Sequence, residues 1–134
     1  MKAETPRIHV IAGVIYNFDK DKVLIARRPQ HVHQGGLWEF PGGKVIRGEA
    51  SYSALCRELR EELAINVTRA SPLLSENYNY PEKKIQLECW EVTSFTGQAM
   101  GNEGQEIAWV PLDELENFRF PAANKSILAQ ITLA

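Results

Sequence analysis

A chain of 134 residues, 44% hydrophobic and 24% charged, with a net charge of −2, has the composition of a single globular domain covering residues 1–134. At this size about two-thirds of the unfolded surface is buried on folding, so a core forms without disulfides or a structural metal. The slight negative charge argues against wrapping a nucleic-acid polymer, which needs a concentrated basic face, but leaves open a small polyanion bridged to carboxylates by a metal ion.

The uncharged run 8–18 is too short to span a bilayer, contains His9 and Asn17, and is followed by no small-residue cleavage site. Neither membrane attachment nor export is expected, and the cytoplasm is the expected compartment. Within that run, residues 8–16 are apolar on both alternating faces, with Ile8, Val10, Val14 and Tyr16 on one and Ile11 and Ile15 on the other. Such a strand is covered on both sides, which points to layered α/β structure. A turn at 17–22 leads to a returning strand at 23–26. A loop is expected at 31–36 and a short strand at 37–40. Pro41-Gly42-Gly43 is predicted to break any regular element, because proline withholds a donor and glycines permit positive φ. The spacing then predicts a helix over 51–63, a hairpin of 77–80 and 85–95 around 81–84, and a strand at 107–110. Two helical pieces follow, at 112–116 and 122–131. No repeat or low-complexity segment interrupts this order. Hairpins interleaved with helices predict an α/β (α+β) fold, an α/β/α sandwich with a mixed β-sheet between helices, over a doubly wound parallel sheet. Cys56 and Cys89 lack zinc or redox spacing and are expected as buried free thiols in a reducing cytoplasm.

The helix over 51–63 carries the chemistry. At about 100° per residue, Tyr52, Leu55, Cys56, Leu59 and Leu63 form one apolar stripe. Glu58, Glu61 and Glu62, spaced i, i+3 and i+4, crowd onto a neighbouring face, where like charges cost a few tenths of a kcal/mol per pair. Arg57 offsets part of this through Glu61. A solvated helix also carries such charges, but here Gly42 and Gly43 lie upstream and Glu49 lies just before the helix. A hard cation such as magnesium takes oxygen ligands of this kind, completed by phosphates and water.

Gly43, Glu49 and the run Arg57-Glu58-Leu59-Arg60-Glu61-Glu62 resemble the Nudix box, G-x5-E-x7-R-E-U-x-E-E-x-G-U, where U is bulky and apolar. The one departure is Ala64 in place of the box glycine. Glycine there leaves the helix with positive φ; alanine in that conformation costs about 1 kcal/mol, unless Asn66 takes over the exit. The resemblance covers nearly the whole chain and is closest to the MutT-like branch, the oxidised-nucleotide diphosphatases. It is also carried by Ala26-Arg27-Arg28, Leu37 to Lys44, Asn102-Glu103-Gly104-Gln105 and Phe120-Pro121-Ala122-Ala123-Asn124.

That resemblance implies a Nudix-like sandwich and a Mg²⁺-dependent hydrolase, with Mn²⁺ as a substitute, that cleaves a nucleoside triphosphate to the monophosphate and pyrophosphate. It implies that Glu58, Glu61, Glu62, the Gly42 carbonyl and the remote Glu103 hold the metal, and that Glu58 is the general base with Glu103 as the fallback. Gly43, Glu49 and Arg57 are implied to be structural. Arg28 either contacts the phosphates, where its planar fork suits oxygens, or makes a surface ion pair. Lys44 either reaches the phosphates or is solvated. Phe40 either packs on a purine or belongs to the core. Asn124 either reads an oxidised guanine with its amide donor and acceptor or caps a helix. Ile85 and Leu87 are expected to line the site; His33 is given no role.

The leading substrate is therefore 8-oxo-dGTP, removed before it causes mutation. The alternatives are CTP or a modified pyrimidine nucleotide, since fold and box do not fix the base, and a non-catalytic Nudix-like recognition module, which predicts missing carboxylates. The expected partner is a small nucleotide, without nucleic-acid polymer or membrane, and the expected assembly is a monomer or weak dimer.

Overall fold

A computed structural model describes residues 6–31 and 35–132. Strands β1 (Arg7–Ile15), β2 (Lys22–Arg27), β3 (Trp38–Glu39) and β4 (Gly42–Lys44) precede helix α1 (Ser51–Leu63). Strands β5 (Asn66–Asn79), β6 (Lys84–Thr96) and β7 (Ile107–Pro111) follow it. Two 3₁₀ segments, Leu112–Asn117 and Ala122–Asn124, lead into α2 (Lys125–Thr132). A four-stranded sheet runs β4-β1-β6-β5 and a three-stranded sheet runs β3-β2-β7. A bridge from Tyr16 to Val23 joins them. The larger sheet is mixed, with β1 parallel to β6 and antiparallel to β4. This is the expected α/β architecture.

Strand β1 is covered on both sides, as its two apolar faces require. Ile11 and Ile15 pack with Leu55, Leu59 and Leu63 of α1 in one core. Ala12 and Val14 join Val23, Ile25, Leu115 and Ile127 in the other. Each fully buried leucine of α1 contributes about 1.5–3 kcal/mol. The predicted stripe is right for these three, but Tyr52 is 42% exposed and rests against Trp90 at the rim, with ring centroids 5.7 Å apart. Ala54 fills the buried face instead. Cys89 is a buried free thiol, whereas Cys56 is only half-buried.

Three local expectations change. Strand β3 ends at Glu39, ahead of Phe40-Pro41, but Gly42 and Gly43 do not break the chain. They form β4, paired antiparallel with β1, and neither has positive φ. Residues 66–76, whose polar composition gives no clear alternation, are the first part of the 14-residue β5. The terminal helical piece begins as a 3₁₀ turn before α2. His33 lies outside the described residues. Among the described residues, no helix is long and apolar enough to cross a membrane.

Helix α1 is fixed at both ends. Its N-cap, Ala50, has no side-chain cap, but Ser51 Oγ donates to Glu88 Oε1 at 2.8 Å. His9 Nε2 and Trp90 Nε1 also lie within hydrogen-bond distance of Glu88, at 2.9 and 2.7 Å. At the other end Ala64 adopts the left-handed conformation, φ 60° and ψ 31°, and its N–H donates to the Arg60 carbonyl. The box geometry at this exit is kept without the box glycine. Ala64→Gly should therefore relieve about 1 kcal/mol of backbone strain and raise the urea midpoint at unchanged slope. An unchanged or lower midpoint would show that Ala64 is not strained.

Candidate active site

The site lies where α1, β4 and the loop 100–105 meet. Strand β4 presses against β1 on one side and α1 on the other because it has no side chains there. A Cβ on Gly42 would collide with the Ile11 carbonyl oxygen, and one on Gly43 with the Glu58 carboxylate. These glycines are needed for close approach rather than for positive φ.

Arg57 locks the segment before the helix onto it. Its Nε and Nη2 donate to the two Glu49 oxygens at 2.8 and 3.0 Å. Nη2 also donates to the Lys44 carbonyl at 3.0 Å, and Nη1 to Glu58 at 2.9 Å and Glu61 at 3.3 Å. Glu49 Oε1 also accepts the Ile46 N–H at 3.0 Å. The Arg57 hydrogen bond, helped by that of Ile46, holds the Glu49 carboxyl down at about 2.

The other acids are shifted the opposite way. Burial pushes Glu62 up to about 8, and the negative charges of Glu39, Glu58 and Glu103 add to the shift. Its Oε2 accepts the Gly42 N–H at 3.3 Å. Burial also raises Glu58, against the opposing hydrogen bond from Arg57 and with repulsion from Glu61 and Glu103. Glu61 is more open, with a side chain 54% exposed.

Glu103 reaches this cluster because its loop caps the C-terminal end of α1, where helix carbonyls lack partners. Asn102 Nδ2 donates to the Glu61 carbonyl at 2.9 Å, and Gln105 Nε2 to the Glu62 carbonyl at 3.0 Å. The backbone N–H groups of Asn102 and Met100 donate to the Glu62 and Leu63 carbonyls at 2.9 and 3.0 Å. Among the described residues, no three acid, histidine or cysteine side chains form a closed ion cage. The carboxylates make an open, mutually repelling array, and that excess negative charge fits a divalent cation whose other ligands come from a substrate and water.

Beside this array is a cavity of about 270 Å³. Glu62, Gly42 and Gly43 mark its acidic end; Glu58, Glu61 and Glu103 lie outside its lining. Arg28, Lys44 and Lys83 bring positive charge to its wall, and Phe40, Ile85 and Leu87 make it apolar. Arg28 Nη1 is 2.6 Å from Glu39 Oε1, so the ion pair and the cavity position both hold for that arginine. Phe40 is a core residue that also lines the cavity and stacks on Phe120 at 5.3 Å.

Asn124 also lines the cavity and is 9% exposed. Its carboxamide makes no hydrogen bond to a described residue, so it does not cap α2. Glu39, Tyr80, Lys83, Asn102 and Gln105 are the site residues that sequence reasoning did not single out. Glu39, Asn102 and Gln105 sit inside segments that carry the family resemblance; Tyr80 and Lys83 carry no such signal.

The Glu49–Arg57 tie has a definite pH signature. A carboxyl held near 2, against an ordinary 4.5, adds stability above its unfolded value, and that stability is lost as pH falls toward 2. Wild type should thus have a higher urea midpoint than Glu49→Gln at pH 7, with the gap closing steadily below pH 4.5. A gap independent of pH would rule out the charged pair.

Comparison with known proteins follows the same lines. A NUDIX domain family profile matches residues 11–130. The chain is 34% identical to an 8-oxo-dGTP diphosphatase of Escherichia coli K12 over 125 residues, 93% of this chain and 96% of that protein. It is 37% identical to a CTP pyrophosphohydrolase of the same organism, over 90% of this chain and 88% of that one. A MutT structure from work on the Aliivibrio salmonicida and Vibrio cholerae proteins superposes with a TM-score of 0.83 at 41% identity, covering 95% and 98% of the two chains. The family match spans residues 11–130, the similarity to these relatives extends over nine-tenths or more of the chain, and this chain belongs to the Nudix family of hydrolases.

Proposed function

We propose that the chain is a magnesium-dependent nucleoside triphosphate pyrophosphohydrolase that clears oxidised purine nucleotides in the cytoplasm, converting 8-oxo-dGTP to 8-oxo-dGMP and pyrophosphate. Hydrolysis of a phosphoanhydride by a divalent-metal-dependent enzyme goes with the family. The observation that carries it is Asn124, a buried amide on the cavity wall with no hydrogen bond to a described residue. An amide on a cavity wall that is not engaged by a described residue is available to a ligand with a complementary edge.

Guanine offers two adjacent acceptors, O6 and N7. Oxidation at C8 places a proton on N7, so the edge becomes one acceptor and one donor. A primary amide matches that altered edge with both its N–H and its carbonyl, but matches unmodified guanine with the N–H alone. Phe40, Ile85 and Leu87 supply the apolar walls for a base.

In this reading Glu58, Glu61, Glu62 and Glu103, with the Gly42 carbonyl, hold magnesium, and manganese substitutes. A metal held there would supply Lewis-acid activation of water and neutralisation of phosphate charge. Glu58, placed above Gly43 by its hydrogen bond from Arg57, takes the proton of the attacking water. Arg28 and Lys44 face the phosphate chain from the cavity wall. Gly43, Glu49 and Arg57 keep this frame in register.

A second reading, hydrolysis of CTP or a modified pyrimidine nucleotide, is favoured by the 37% identity to a CTP pyrophosphohydrolase and by an amide that also matches a cytosine edge. A non-catalytic module is disfavoured, because every carboxylate of the box is present.

Steady-state assays with a nucleotide panel and Mg²⁺ separate these readings. The expected kcat/KM for 8-oxo-dGTP exceeds that for dGTP and CTP by about a hundredfold or more. Equal values for the two purines would remove the oxidised-base preference, and a higher value for CTP would establish the second reading. EDTA should abolish turnover, and Glu58→Gln should lower kcat by about a thousandfold; full activity of that variant would exclude Glu58 as the base.

A further inference from the structure

The direction of Asn124 is not set by its own side chain, which has no hydrogen bond to a described residue. It is set by the backbone of the 3₁₀ turn Ala122–Asn124. That turn is preceded by Pro121, which provides no side-chain cap, so its first N–H groups need partners from elsewhere. One tie is local, from Asn124 N–H to the Pro121 carbonyl at 3.0 Å. The other comes from far along the chain. Tyr80 Oη accepts the Ala123 N–H at 3.0 Å, across a separation of 43 residues. The phenol does here what a serine or aspartate N-cap does locally.

Tyr80 is well placed to act as a fixed post. Its backbone closes the tight turn after β5, with Tyr80 N–H to Lys83 carbonyl at 2.8 Å and Lys83 N–H to Tyr80 carbonyl at 3.3 Å. Its ring packs against Tyr78, with centroids 4.7 Å apart, and lines the same cavity as Asn124. Removing the hydroxyl alone leaves these ring contacts and the carboxylate array in place.

We propose that Tyr80 is a positioning residue for base discrimination, its hydroxyl fixing the turn that aims the Asn124 amide at the nucleobase. This rests on the reading of Asn124 as the base-reading residue, and it adds a part of the specificity device that neither the box nor the branch-like segments contain. The hydroxyl acts through the backbone N–H of Ala123, to which it is hydrogen-bonded. Its loss therefore acts on the choice between bases and leaves the chemical step intact.

The test is a double-mutant cycle with Tyr80→Phe, Asn124→Ala and the combined variant, assayed with 8-oxo-dGTP and dGTP at saturating Mg²⁺. Tyr80→Phe should lower the ratio of the two kcat/KM values about fivefold, through a raised KM for 8-oxo-dGTP. Its kcat and magnesium dependence should stay close to wild type, while the melting temperature falls by about a few degrees for the unpaired Ala123 N–H. Asn124→Ala should lower the ratio further, and adding Tyr80→Phe to it should change nothing more. A ratio altered by Asn124→Ala but untouched by Tyr80→Phe would overturn the role of Tyr80 and leave the base-reading assignment standing. Equal effects of Tyr80→Phe with and without Asn124 would mean that Tyr80 acts independently, and would overturn positioning. A ratio unmoved by Asn124→Ala would overturn the base-reading assignment and this inference with it.

Discussion

The missing side chain at Gly43 lets the acidic helix lie directly against the backbone of a strand, and the one at Gly42 lets that strand lie directly against β1. Because β4 has no Cβ atoms there, the Glu58 carboxylate can occupy the space over Gly43, and the Gly42 N–H can meet Glu62. The carboxylates are thereby held between buried leucines on one side and peptide groups on the other. Desolvation and mutual repulsion both raise their proton affinity. Arg57 counters that repulsion with hydrogen bonds to Glu49, Glu58, Glu61 and the Lys44 carbonyl. The arrangement is an anionic array whose net charge is only partly answered by the protein.

Acidic and basic groups meet at the cavity: Glu62 lines it beside the other glutamates of the helix, while Arg28, paired with Glu39, and Lys44 and Lys83 also line its wall. The cations repel one another as well, and burial together with Arg28 and Lys44 lowers the Lys83 pKa. A metal–polyphosphate ligand answers both surpluses at once, its cation toward the glutamates and its oxygens toward the basic groups. In the proposed reading the rest of the wall, with apolar Phe40 and Ile85 and the Asn124 amide, takes the base.

Much of this is legible in the residue order. The two faces of β1 and the helix over 51–63 follow from periodicity alone, because burial on both sides and on one stripe leaves a mark in the residue order. Tyr52 broke the stripe because it begins the helix at the edge of the sheet, where its ring finds Trp90 rather than the core. Strand β5 was half invisible because it is an edge strand with exposed polar residues and register shifts around Pro72. Local propensity makes Gly42-Gly43 look like a break, because it says nothing about a helix pressing on that backbone. Tyr80 and Lys83 entered the site through the turn between β5 and β6, a contact made by sheet order and not by sequence proximity. The docking of Asn102 and Gln105 on helix carbonyls is likewise a tertiary event, although it explains why a loop acid as distant as Glu103 influences Glu58 and Glu62.

The central claim is that this helix gathers a divalent cation beside a polyphosphate. It is tested most directly by calorimetric titration of Mg²⁺ into the protein with a non-hydrolysable nucleotide bound, for wild type and Glu62→Gln. The account predicts saturable uptake by wild type and affinity weakened about tenfold or more in the variant. No uptake by wild type, or equal affinity in both proteins, would contradict it.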